Sequence, residues 1–112
     1  VPHTDDAEVT LNIQLSDQYQ GGALLFGGRR GDKDEYDAMQ PVPPRPVGTC
    51  TFHRGRQLHA VSKVTSGTRR VLIAWTRSSS LRQSVCPCCW MNRRYGDHGS
   101  GDCICGRVWT DP

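Results

Sequence analysis

Over residues 8–15 the chain reads E-V-T-L-N-I-Q-L, a strict alternation of polar and apolar residues. Val9, Leu11, Ile13 and Leu15 fall on one side, and Glu8, Thr10, Asn12 and Gln14 on the other. A period of two is that of an extended chain with one face buried, because successive side chains point to opposite faces of a sheet. Residues 69–76 repeat it, with Arg69, Val71, Ile73 and Trp75 against Arg70, Leu72 and Ala74. Residues 23–26, 47–53 and 59–64 are shorter strand-like runs. Residues 16–22 read as a polar turn ending in Gly-Gly, and Thr65-Ser66-Gly67-Thr68 as a second turn. Residues 27–46, rich in Gly, Pro and charge, read as a loop long enough to be either functional or disordered. No segment carries a helical period and no internal repeat is present. Short strands without interleaved helices predict an all-β sandwich or barrel. Five strands are too few for a jelly roll, which needs eight. The chain also lacks an initiator Met, so the expectation is a domain whose front part lies upstream.

Composition narrows the class without changing the fold. The 112 residues suffice for one small domain, and 36% hydrophobic with 22% charged residues suits a soluble globular protein. No apolar run approaches the roughly 20 residues that span a bilayer. The polar start is not a signal peptide, but any targeting signal would lie upstream, so the location is left open with the cytoplasm favoured, and no membrane segment is expected within these residues. A formal charge of +3, from arginines scattered along the chain, reads as a solvated surface and predicts no nucleic-acid binding.

His3-Thr4-Asp5 places an imidazole and a carboxylate two residues apart, on one side of an extended segment, so both can reach one ion. His59 is the candidate third ligand. Two histidines and one carboxylate on one face of an octahedral ion leave three positions open, the facial triad of non-haem Fe(II) oxygenases. Zinc would be four-coordinate and leave only one position open, so iron is preferred. An isolated H-x-D occurs by chance in many sequences. His53, ending the run T-C-T-F-H before Arg54-Gly55, reads as structural, His98 as a loop residue, and Asp6 as solvated. Thr10 and Asn12 either line the pocket or form an ordinary polar sheet face.

What strengthens the H-x-D is the order of the features that follow it. H-T-D-D-A-E-V-T-L-N-I-Q-L at 3–15, Y-Q-G-G-A-L-L-F at 19–26 and the stretch from Pro46 to Trp75 resemble the prolyl 4-hydroxylase-like superfamily of Fe(II)/2-oxoglutarate dioxygenases. The resemblance covers about two-thirds of the chain. It implies a double-stranded β-helix (jelly-roll) core over residues 1–80, with iron held by His3, Asp5 and His59. It also implies that Arg69, ten residues after His59, binds the distal carboxylate of 2-oxoglutarate. A guanidinium suits that role, since it offers a planar bidentate fork and stays charged when partly buried. Arg70 is the competitor, but it falls on the opposite face from Val71, Ile73 and Trp75. The implied reaction uses O2 to decarboxylate 2-oxoglutarate to succinate and to hydroxylate an unactivated C–H bond, of a prolyl, lysyl or other protein side chain or of a small molecule. Family members often need ascorbate as reductant. The alternative is a non-catalytic jelly-roll module carrying an interaction tail.

That tail, residues 81–112, follows a Ser-rich connector. It carries Cys86, Cys88, Cys89, Cys103 and Cys105 in two short knuckles around a Gly-rich loop. Four thiolates would satisfy a tetrahedral structural zinc, while disulfides or free thiols remain alternatives.

Overall fold

The structure is a computed structural model, described here for residues 1–29 and 39–85. Eight strands are found among these residues: β1 (Val9–Gln14), β2 (Tyr19–Gly21), β3 (Leu24–Arg29), β4 (Gln40–Pro41), β5 (Cys50–Arg54), β6 (Gln57–Val61), β7 (Val64–Gly67) and β8 (Val71–Thr76). They pair in three antiparallel sheets, ordered β5-β1-β8, β2-β7 and β4-β3-β6. The result is the jelly-roll-like, all-β arrangement expected. These strands belong to a compact unit, Val1–Thr76, and a second unit begins at Arg77. Of the second unit, residues 77–85 are described. They hold one short helix, α1 (Ser79–Ser84), whose first turn is capped by the Ser78 hydroxyl accepting from the Leu81 amide. Six residues are too few to show a helical period, which is why the connector carried no such signal. No helix among the described residues is long and apolar enough to cross a membrane. The five tail cysteines lie outside the described residues.

Several elements differ from expectation. Residues 19–21 and 65–67 were expected in turns, yet they fall in β2 and β7, which pair with each other, and cross-strand partners outweigh local composition. The expected strand at 59–64 is displaced to Gln57–Val61, so His59 sits mid-strand. The expected loop at 27–46 gives its start to β3 and contributes the two-residue edge strand β4. Pro41 is tolerated there because an edge strand can forgo one N–H. His59 and Arg69 were expected on neighbouring strands, but β6 pairs with β3 and β8 pairs with β1.

The face of β1 that turns inward, left open by the sequence, is the polar one. Thr10, Asn12 and Gln14 are buried, whereas Val9 is exposed and Leu11 and Ile13 are half-buried. Register extends the two faces across the sheet. Thr10 lies opposite His53 and Trp75, and Asn12 opposite Thr51 and Ile73. On the other face Leu11 pairs with Phe52 and Ala74, and Phe52 is 72% exposed. Among the described residues the buried apolar set is small, Ala7, Leu24, Leu58 and Ala60. The interior therefore depends on hydrogen bonds to make burial of its polar groups tolerable.

The turn between β5 and β6 approaches the segment before β1 through backbone contacts. The Asp5 amide donates to the Gly55 carbonyl (2.8 Å), and the Gly55 amide donates to the Glu8 carbonyl (3.2 Å). A Cβ on Gly55 would lie 1.8 Å from the Ala7 carbonyl oxygen. No side chain can relieve that overlap, because the obstructing atom is backbone. Gly55→Ala is expected to destabilise the fold by about 1–3 kcal/mol, the usual cost of forcing extra atoms into packed space. Urea unfolding measures this, and an unchanged midpoint would show that the two segments are not packed this closely.

Candidate metal centre

His3 and His59 form an antiparallel bridge in which each backbone amide donates to the other residue's carbonyl, both at 2.9 Å. Directly opposed residues of such a pair project to the same side, so the two imidazoles stand next to each other. Their ring centroids are 4.4 Å apart. Asp5, two residues on, reaches the same place. Its Oδ1 is 3.6 Å from His3 Nε2 and its Oδ2 is 3.4 Å from His59 Nε2. One ligand atom from each residue lies within 4.8 Å of the others. Ligands about 2.1 Å from a common ion at right angles would be about 3 Å apart, so closure on an ion needs only modest contraction.

Hydrogen bonds at the far side of each ligand set which atoms are free. Nδ1 of His3 donates to the Val1 carbonyl (3.0 Å) and Nδ1 of His59 to the Gln57 carbonyl (2.9 Å). A carbonyl can only accept, so each Nδ1 carries the hydrogen and each Nε2 presents a lone pair toward Asp5. Histidine ligands are commonly oriented in this way. The Thr10 hydroxyl donates to Asp5 Oδ2 (2.7 Å), which orients a carboxylate only 3% exposed. Burial is the largest influence on His59 and pushes its pKa below 6.5. The neighbouring His53 and His3 act in the same direction, while the Gln57 carbonyl and Asp5 oppose it. The imidazole is thereby kept neutral, the form that binds a metal.

These groups line a cavity of about 240 Å3 that also takes in Thr10, Asn12, His53, Arg69, Ile73 and Trp75. Arg69 is half-buried, and its Nε and Nη2 are buried without a hydrogen-bond partner. Its stem passes Gly22, where a Cβ would come within 2.8 Å of Arg69 Cδ, so the absent side chain is what makes room for it. A buried guanidinium left unpaired is costly, and an anion entering the cavity would relieve it. Arg70 is exposed, and its backbone amide donates to the Ser16 hydroxyl. The donor set and this unpaired cation thus fit a divalent ion together with a carboxylate ligand.

Two features were not read from the sequence as parts of this site. His53, taken there as structural, lines the cavity with its ring 4.6 Å from that of His59. Asn12, left open between pocket and sheet face, turns inward, with Oδ1 buried and unpartnered. For Asn12 the available signal was the alternation of β1, which reveals two faces but not which of them is inside; no local signal marked His53. The expected zinc ligands Cys86, Cys88, Cys89, Cys103 and Cys105 lie outside the described residues.

No family model matches the chain, and no solved structure matches it. Curated relatives do. The chain is 39% identical over 101 residues to 2-oxoglutarate and iron-dependent oxygenase domain-containing protein 2 of Mus musculus, covering 89% of this chain and 29% of the relative. The Arabidopsis thaliana protein ICU11, of the same description, is 42% identical over 90 residues, covering 72% and 21%. A PKHD-type hydroxylase from Picosynechococcus sp. is 32% identical over 73 residues, covering 65% and 30%. The chain belongs to the superfamily of 2-oxoglutarate- and iron-dependent oxygenases. It spans less than a third of the length of these relatives.

The lowered pKa of His59 makes stability depend on pH. The unfolded chain takes up a proton near pH 6.5 and the folded chain only at lower pH. The contribution is fully present above that value and is lost as pH falls below it. Urea midpoints of the metal-free chain should therefore drop between about pH 7.5 and about pH 5.5, and less steeply in His59→Asn. Equal slopes in the two proteins would contradict this placement of His59.

Proposed function

We propose that the chain carries the metal and co-substrate site of an Fe(II)- and 2-oxoglutarate-dependent oxygenase that hydroxylates an unactivated C–H bond. His3 Nε2, Asp5 and His59 Nε2 would hold the iron, and Arg69 would bind the distal carboxylate of 2-oxoglutarate. The observation that carries this reading is the unpaired Arg69 guanidinium in the same cavity as the three ligands.

An iron ion held by His3, Asp5 and His59 would supply the oxidising chemistry, in which O2 is consumed, 2-oxoglutarate becomes succinate and CO2, and the substrate is hydroxylated. The chain's own groups bind and orient. The two Nδ1–H···O=C hydrogen bonds keep both Nε2 atoms available, and Thr10 steadies the Asp5 carboxylate. Arg69 would bind the distal carboxylate of the co-substrate. Ile73 and Trp75 provide apolar walls. The relatives named PKHD-type hydroxylases fit hydroxylation as the reaction. A prolyl or lysyl side chain as substrate and ascorbate as reductant are part of this proposal.

The test is 2-oxoglutarate affinity of the metal-loaded chain by calorimetric titration, with succinate release as the companion assay. Arg69→Ala is expected to weaken binding more than tenfold, since a charge-assisted hydrogen bond to a carboxylate contributes about 1.5–3 kcal/mol. Arg70→Ala should leave it unchanged. Equal losses in the two variants would reject Arg69 as the anchor.

A further inference from the structure

His53 has no part in the chemistry so far, yet it meets the metal centre from its buried side. It lies on the inward face of β5, directly opposite Thr10, the residue that steadies Asp5. Its ring is 4.6 Å from His59 at an interplanar angle of 56°. Phe26, directly opposite His59 in the β3–β6 pairing, closes the group, with its ring 5.1 Å from His53 and 6.4 Å from His59. Aromatic neighbours from two different sheets therefore meet on the ring of His59.

We propose that His53 is a positioning residue for His59, a fixed aromatic pad that sets the ring plane of that metal ligand. The inference rests on the metal-centre reading above. Backbone pairing with His3 fixes where the Cβ of His59 points, but rotation about the bond to an imidazole is broad and roughly two-fold. The hydrogen bond from Nδ1 to Gln57 selects one orientation. A ring packed against its face narrows the swing that remains, and such packing carries its own favourable energy. His53 suits the role because it is itself held. Its Nδ1 donates to the Arg54 carbonyl at 2.9 Å, and its ring packs against Phe26. The metal-binding cluster comprises His3, Asp5 and His59, and His53 does not belong to it. It therefore acts on the centre through His59.

The test is titration of the full chain with Co(II), following both affinity and the visible absorption spectrum, which reports ligand geometry. Wild type, His53→Ala and His53→Phe are compared, with circular dichroism checking the fold. His53→Ala should weaken Co(II) binding about tenfold, the lower end of what losing a residue that orients a metal-binding histidine costs, and alter the spectrum at saturation. His53→Phe keeps the ring and should recover affinity to within about threefold of wild type, with the wild-type spectrum. If His53→Ala unfolds, His53→Leu fills the space without a ring plane and should give the same altered spectrum. The proposal is overturned if removing the ring leaves affinity and spectrum unchanged, or if His53→Phe is as impaired as His53→Ala. Failure of the wild-type chain itself to bind Co(II) would instead count against the metal centre.

Discussion

Two backbone hydrogen bonds, each 2.9 Å, join His3 to His59 across 56 residues of sequence, and the candidate site depends on them. Antiparallel pairing of this kind does more than close a loop. It aligns two side chains on one side of the sheet at a spacing that packing alone would not guarantee. Asp5 then follows from the period of an extended chain. Its own backbone is tied to Gly55, in the turn that leads into β6, so the segments carrying the three groups are joined by main-chain contacts. Slippage of this pairing by one residue would turn His59 to the opposite face and disperse the cluster.

The site also explains why the interior is polar. A cavity that receives an ion and a dicarboxylate must be lined by donors and acceptors, and β1 supplies them on the face a purely structural sheet would fill with Leu and Ile. Thr10 steadies Asp5, and Gln14 donates to the Tyr19 hydroxyl and the Ser16 carbonyl, so these buried groups do not go unpaired. Among the buried atoms without a hydrogen-bond partner are Arg69 Nε and Nη2 and Asn12 Oδ1, in residues that line the cavity. Incomplete satisfaction of polar groups within the cavity is what a binding site requires before its ligand arrives.

Much of this was legible in the sequence, for physical reasons that differ by element. β1 and β8 announce themselves because alternation is a local property. The H-x-D could be placed on one side of an extended segment because that too is local. The pairing of β2 with β7 was not legible, since it joins residues some 45 positions apart and both segments have turn composition. The inward face of β1 was left open for a related reason. Alternation separates two faces, and only the cavity decides which is buried. His53 escaped notice because its neighbours Phe26 and His59 reach it from another sheet.

The central claim is that one metal ion and one dicarboxylate share the cavity, the ion held by His3, Asp5 and His59 and the anion by Arg69. If so, their binding is linked, and the linkage is reciprocal. The most direct measurement is 2-oxoglutarate affinity of the chain with and without saturating Mn(II), repeated in Asp5→Asn. The account predicts tight binding only when Mn(II) is present, and loss of that enhancement in Asp5→Asn. Equal affinity with and without the metal would contradict it.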